Sequence, residues 1–264
     1  MNFRFSDLEG KTLLLTGITS GIGRALLGEF LAQGVRVIAV SIGLEQMQAI
    51  REELGADEDA LRLYDCDLSD PAAVEATAQQ ILEAGIPVDA MLHNAGIDPR
   101  KPFEQASSAL WQQVLQVNLL SAVTLTQKLL PLLRRSEQGR ILFTGSVVFE
   151  LGASYLGAYA ASKGAIVGVT RSLAHELKGT GITVNCIIPG AIRVEKEQPS
   201  PADIARLISW QSVPRQLVPR DLFGLMCLLL SQAGSGITGQ TITVDGGLLH
   251  PLADPTGQSG FLEN

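Results

Sequence analysis

The chain has 264 residues, 46% of them hydrophobic, and its 20 Lys and Arg against 27 Asp and Glu give a formal net charge of -7. That length holds one α/β core of ordinary size, so a second domain is not required. The acidic balance and the absence of Lys/Arg clusters exclude a polyanion-binding surface, and with it nucleic acid as a partner.

An apolar run over Lys11 to Thr16 predicts the first strand, which passes at once through Gly17-x-x-x-Gly21-x-Gly23 into a helical pattern over Ile22 to Gln33. A strand turning directly into a helix aims unpaired backbone N–H groups at whatever lies above the turn, and glycines let a pyrophosphate come close. The turn predicts a dinucleotide site. Strand-like runs follow over Val35 to Val40, Leu61 to Tyr64, Ala90 to His93, Arg140 to Thr144, Thr183 to Ile188 and Thr241 to Val244. Helical patterns separate them over Leu44 to Leu54, Ala72 to Ala84, Ser107 to Arg135, Ala158 to Lys178 and Arg220 to Leu230, with Asp70 placed to cap the helix that Pro71 opens. The alternation predicts one α/β domain over 1–250, a doubly wound, Rossmann-type sheet of seven parallel strands with helices on both faces.

The stretch Arg193 to Arg220 breaks this rhythm with prolines around one short helical piece, Pro201 to Trp210, and predicts a mobile lid within 191–220. Residues 251–264 lack an apolar period and read as a flexible tail. Cys66, Cys186 and Cys227 stand apart without a C-x-x-C pair, which suits core thiols in a reducing compartment and gives no metal site. The leucines before Gly17 are too few for a signal-peptide core and Leu222 to Leu230 is too short to span a bilayer, so a soluble cytoplasmic protein with no membrane partner is expected.

Ligands of doubly wound sheets bind beyond the carboxyl ends of the strands. Gly145-Ser146 follows the fifth strand there, and the next helix opens with Tyr159 one turn ahead of Lys163. Positions i and i+4 share a helix face, so the Lys163 ammonium can sit beside the Tyr159 phenol and favour the phenolate, which makes Tyr159 a usable acid/base. Ser146 can steady a developing oxyanion. Taken singly, a strand-end serine more often caps a turn and a helix tyrosine more often packs in a core; only the joint pattern points to catalysis.

Five features stand in order: Thr16-Gly17-Ile18-Thr19-Ser20-Gly21-Ile22-Gly23, Asn94-Ala95-Gly96, Asn118, Ser146 with Tyr159-Ala-Ala-Ser-Lys163, and Pro189-Gly190. In these the chain resembles the short-chain dehydrogenase/reductase family in its compact single-domain form, over about residues 8–249. The resemblance implies an NAD(P)-dependent oxidoreductase that moves hydride between nicotinamide and a secondary alcohol or ketone. It makes Tyr159 the proton donor or acceptor, Lys163 the residue that lowers its pKa and holds the nicotinamide ribose, and Ser146 the group that polarises the carbonyl. The resemblance also implies that Asn118, through a distorted helix, holds a water linking Lys163 to solvent. The cofactor turn (Gly17, Thr19, Ser20, Gly21, Ile22, Gly23), Asp67 at the adenine amino group, the Leu68 backbone, Asn94, Ala95 and Gly96 near the adenosine ribose, Pro189, Gly190 and the Ile192 backbone complete the implied cofactor contacts. Relatives form tetramers through the long helices, which implies a homotetramer here.

Some positions depart from the family pattern. Ser41 stands where NAD-preferring relatives place an aspartate, and Ile42 and Ser20 stand where NADP-preferring relatives place a basic residue. Both cofactors stay open, and the missing cation tilts the reading toward NAD, with the Ser41 hydroxyl on the ribose. Val194 replaces a threonine near the nicotinamide amide, and His93 replaces the first asparagine of a pair and is read as structural. Asp245 reads as a turn residue with Gly246 and Gly247. Val147, Val148, Phe149, Glu150, Leu151 and Tyr155, with Glu195, Lys196 and Trp210 from the lid, are the candidates for the substrate side. The rival readings are a non-catalytic dinucleotide-binding regulator and an epimerase or dehydratase that recycles its cofactor internally.

Overall fold

The run Thr-Leu-Leu-Leu-Thr is buried along its whole length, as in a strand covered on both faces, and it forms β1 (Thr12–Thr16) in the interior of the sheet. The computed structural model describes residues 4–194 and 200–249. After β1 come α1 (Gly21–Ala32), β2 (Arg36–Ser41), α2 (Leu44–Glu53), β3 (Leu61–Asp65), α3 (Pro71–Glu83) and β4 (Ala90–His93). The second half runs α4 (Ser108–Leu115), a π-type turn over Gln116–Leu120, α5 (Ser121–Leu133), β5 (Arg140–Thr144), the short α6 (Val148–Leu151), α7 (Gly157–Glu176), β6 (Thr183–Pro189), α8 (Pro201–Ser209), α9 (Arg220–Leu230) and β7 (Thr241–Val244). All seven strands pair in parallel in the order β3-β2-β1-β4-β5-β6-β7. The expected fold stands, with element ends within two residues of those read from the sequence.

Alternation along each strand divides the core in two. Leu14, Ile38, Val40 and Met91 face α3, α5 and α7 through Val74, Ile81, Leu125, Leu129 and Ile166. Leu13, Leu15, Val37, Ala39 and Leu92 face α1, α2 and α9 through Leu26, Phe30, Met47, Phe223 and Met226. Asp70 accepts a hydrogen bond from the Ala72 N–H at 2.9 Å ahead of Pro71, the expected cap. Asp245 likewise serves its turn, accepting from the N–H groups of Gly247 and Leu249. The sheet reverses its winding between β1 and β4, which opens a crevice at the carboxyl ends of the strands.

Two differences matter for the site. The helix expected over Ser107 to Arg135 is interrupted by the π-type turn, which carries Asn118. Within the expected lid, α8 is present and Ile192 is bridged to Leu217, whereas residues 195–199 and the expected tail lie outside the described residues. No helix among the described residues is long and apolar enough to cross a membrane. Cys66, Cys186 and Cys227 are free and buried.

His93 lies in the core, stacked on Phe143 with ring centroids 5.1 Å apart, its Nε2 2.8 Å from Thr126 Oγ1 and its Nδ1 without a partner among the described residues. Burial pushes its pKa down from 6.5 to about 3. Between those values the unfolded chain binds the proton and the folded chain does not, so this residue costs stability as pH falls through that window, by on the order of 4 kcal/mol at its foot. His93→Asn is expected to flatten the acid limb of stability between these two pKa values. Urea unfolding at several pH values reads this, and an unchanged slope would remove His93 as its source.

Candidate active site

The first wall of the crevice is the β1–α1 turn. Gly17 (φ 77°) and Gly21 (φ 65°) adopt the left-handed conformation, and a Cβ at Gly17 would lie 2.8 Å from the Ala95 Cα. Thr16 Oγ1 accepts from the N–H groups of Asn94 and Ala95, both at 3.0 Å, which stitches the exits of β1 and β4 together. The Ser41 hydroxyl, at the end of β2, lies 3.2 Å from Thr19 Oγ1. Beyond it the Gly43 N–H donates to Asp65 Oδ1 at 2.9 Å, and Asp65 is also the strand partner of Ser41.

These residues open into a cleft of about 620 Å³ lined by Gly17, Thr19, Ser20, Gly21, Ile22, Ser41, Asp67, Leu68, Asn94, Ala95, Gly96, Ser146, Tyr159, Lys163, Pro189, Gly190 and Ile192. Asp67 accepts from the Ser69 N–H at 2.8 Å and borders the cleft beside Leu68. The absence of side chains at Gly17, Gly21 and Gly96, against so many backbone groups, makes a cradle that fits an extended dinucleotide.

Two expected site residues, the cofactor-side Gly23 and the catalytic Asn118, sit outside the cleft lining. Gly23 does not line the cleft: a Cβ there would lie 2.1 Å from the Gly17 carbonyl oxygen and 2.7 Å from Asn94 Nδ2, so its part is to let α1 close onto β1 and β4. Asn118 lies one layer behind. Its amide donates to the Ile97 carbonyl and Ser162 Oγ, both at 3.0 Å, and accepts from the Ile97 N–H at 2.8 Å. A Cβ at Gly96 would lie 3.4 Å from Asn118 Oδ1 and 3.5 Å from Lys163 Nζ, so the two groups flank one bare glycine.

At the other end, Lys163 is 3% exposed and donates from Nζ to the Thr144 carbonyl at 2.7 Å, with Nζ 5.6 Å from the Tyr159 ring centroid. Burial pulls its pKa down to about 8. The phenol departs from expectation: burial pushes Tyr159 upward, the Ser146 hydroxyl partly opposes this, and the Asp98 carboxylate adds to it. The i,i+4 placement is met, but in the protein alone it does not depress the phenol.

The substrate-side expectations need correction. Among the described residues, Val147, Val148, Phe149, Glu150, Leu151, Tyr155 and Trp210 do not line the cleft. Tyr155 (φ 68°) turns toward a separate hollow of about 180 Å³ with Phe103 and Trp111, and Trp210 stacks near Arg206. Glu195 and Lys196 lie outside the described residues. The cleft is lined instead by Ile97, Asp98, Gln113, Val117 and Val194; Asp98 was missed although it follows β4 at the carboxyl edge.

Comparison with known proteins agrees with this architecture. The family model for short chain dehydrogenase matches residues 11–205. The probable galactose dehydrogenase GalD of Rhizobium meliloti (strain 1021) is 34% identical over 249 residues, covering 93% of this chain and 97% of that protein. Among solved structures, the short-chain dehydrogenase/reductase glucose/ribitol dehydrogenase from Brucella melitensis superposes with a TM-score of 0.85 at 30% identity, covering 93% of this chain and 99% of the other. A blue fluorescent protein from a metagenomic library, in complex with NADPH, superposes with a TM-score of 0.82 at 29% identity, covering 92% and 99%.

Proposed function

Because this chain belongs to the short-chain dehydrogenase/reductase family of NAD(P)-dependent oxidoreductases, we propose that it interconverts a secondary alcohol and its ketone, with Tyr159 as general acid/base. The observation that carries the reading is the convergence of Ser146, Tyr159 and Lys163 on a cleft continuous with the glycine turn. A bound nicotinamide would give or take the hydride. In reduction, Ser146 donates a hydrogen bond to the carbonyl oxygen and Tyr159 passes its proton to that oxygen as charge develops. Lys163, whose proton is held weakly by burial, reprotonates the phenol, and Asn118 positions the segment beside it through Ile97. The high phenol pKa of the free protein suits the acid role; in oxidation the same group works as a base, so that direction is expected to accelerate as pH rises. A non-catalytic regulator has no use for all of these groups in one cleft, whereas internal recycling of the cofactor would use the same groups and is separated by net nicotinamide turnover.

We further propose a preference for NAD. Ile42 and Ser20 supply no cation for a 2′-phosphate, and the Asp65 carboxylate, bonded to the Gly43 N–H, places negative charge beside the end of β2. The NADPH bound to one structural neighbour sets the opposing expectation. A screen of alcohols and ketones, run with both cofactors and read by the absorbance of reduced nicotinamide, tests substrate and cofactor together. Wild-type protein is expected to favour NAD, and Asp65→Asn to improve the kcat/KM for NADP by about fivefold, the scale of one exposed charge. A preference for NADP would reverse the assignment, and absence of net nicotinamide turnover with substrate consumed would favour internal recycling. The resemblance also supports a homotetramer, with Phe103 (79% exposed) and Leu120 (46%) on the helix side available for burial; sedimentation as a single chain would count against it.

A further inference from the structure

The segment leaving β4 is held more firmly than a surface loop requires. Asn118 bonds both the N–H and the carbonyl of Ile97, which fixes the backbone just before Asp98. Asp98 lines the cleft that contains Ser146, Tyr159 and Lys163, its side chain is exposed, and it makes no hydrogen bond or ion pair with any described residue. The other charged groups lining the cleft are engaged: Lys163 donates to the Thr144 carbonyl, and Asp67 accepts from the Ser69 N–H. Asp98 is therefore the charged group of the cleft left with its bonding capacity unused among the described residues. Its field reaches the Tyr159 phenol, which places it at the reacting end rather than at the adenine end.

We propose that Asp98 is a substrate-binding carboxylate of this site and that it selects neutral, polyhydroxylated alcohols, sugars or polyols, over anionic ones. This rests on the oxidoreductase reading above and adds the substrate class to it. A carboxylate is an acceptor with two oxygens, so two neighbouring hydroxyls of one substrate can donate to it, and bonds to an ionised acceptor are the stronger kind. A sugar acid entering the same space would meet like charge, and among the described residues lining the cleft the sole cation is Lys163, already bonded. A simple unhydroxylated alcohol would leave the carboxylate desolvated without a donor, which is where a hydroxyl-reading site gains its discrimination.

The test uses D-galactose, D-xylose, D-gluconate, 2-butanol and acetoacetyl-CoA as probes, each in its feasible redox direction, with wild type, Asp98→Asn and Asp98→Ala. The expected wild-type result is turnover of galactose or xylose with kcat/KM at least about tenfold above gluconate and butanol. Both variants are expected to raise the sugar KM by about tenfold with a much smaller change in kcat, and to narrow the gap to gluconate. They are also expected to move the pH–rate limb of Tyr159 to lower pH, because a negative charge that opposes the phenolate has been removed; a merely structural residue would not move it. Wild type that prefers gluconate, butanol or the thioester, or variants with unchanged KM and pH profile, would overturn the inference and leave the oxidoreductase reading standing. No turnover of any probe, with NADH still bound in a fluorescence titration, would also overturn the inference, while the oxidoreductase reading falls only if the wider screen of alcohols and ketones gives no nicotinamide turnover.

Discussion

Tyr159→Phe is expected to lower kcat by about 10³-fold in both directions, the middle of the range for removing a positioned general acid/base, while the affinity for reduced nicotinamide changes little. The phenyl ring keeps the packing of the tyrosine, so the loss isolates the hydroxyl. That hydroxyl belongs to a half-buried side chain beside Ser146 and carries a pKa pushed above its ordinary value of 10. It therefore holds its proton at neutral pH, ready to protonate an oxyanion, and water reaching the same oxygen through the cleft would be a poorer and unaligned donor. For oxidation the order reverses: the phenolate must form first, the Lys163 ammonium with its pKa near 8 supports it, and the positive charge of an oxidised nicotinamide would add to that support. The variant should lose the rise of oxidation rate with pH along with its magnitude. Stopped-flow measurement of hydride transfer with whichever substrate the screen yields reads both, and a loss below tenfold would move the proton to another group.

The sheet, its parallel strands and the glycine turn were legible because each rests on a local pattern: apolar strands of four to seven residues, helices between them, and a glycine-spaced turn set directly between the first strand and the first helix. What lay hidden was tertiary. The interruption at Asn118 preserves the helical pattern of its neighbours, so the residues around it do not mark a π-type turn, and only the family resemblance pointed to a distorted helix there. The partial burial of Tyr159 cannot be read from its own segment, and its desolvation reversed the direction of shift expected from Lys163 alone. Tyr155 and Trp210 were placed on the substrate side by proximity in the chain, but a left-handed Tyr155 turns that loop to another hollow. Asp98 was within reach: the family resemblance stops at Asn94, Ala95 and Gly96, and the rule that ligands sit beyond strand ends, followed two residues further, finds the carboxylate.

The three glycines of the first turn look alike in sequence and differ in what they do, which yields the second large effect. Gly21 needs its left-handed backbone and has nothing within 4 Å of a would-be Cβ, so the space above it is free for a ligand. Gly17 needs both its backbone and its contact with Ala95. Gly23 is an ordinary helical residue in conformation, and space alone forbids a side chain: a Cβ would sit 2.1 Å from the Gly17 carbonyl oxygen, a backbone atom that cannot rotate away. Gly23→Ala must push the start of α1 off the β1 exit, and the strain is expected to cost about 3 kcal/mol of stability. The same displacement carries the N–H groups of the turn away from the pyrophosphate position, so cofactor affinity should fall by more than about tenfold although Gly23 touches no ligand. Gly224→Ala, in α9 with nothing within 4 Å of its Cβ, is the matched control and should gain up to about 1 kcal/mol from helix propensity. Urea unfolding and NADH titration on the pair measure both quantities. If Gly23→Ala kept wild-type stability, the helix would have another way to seat, and if it lost stability but bound NADH normally, the position of α1 would not govern the phosphate cradle.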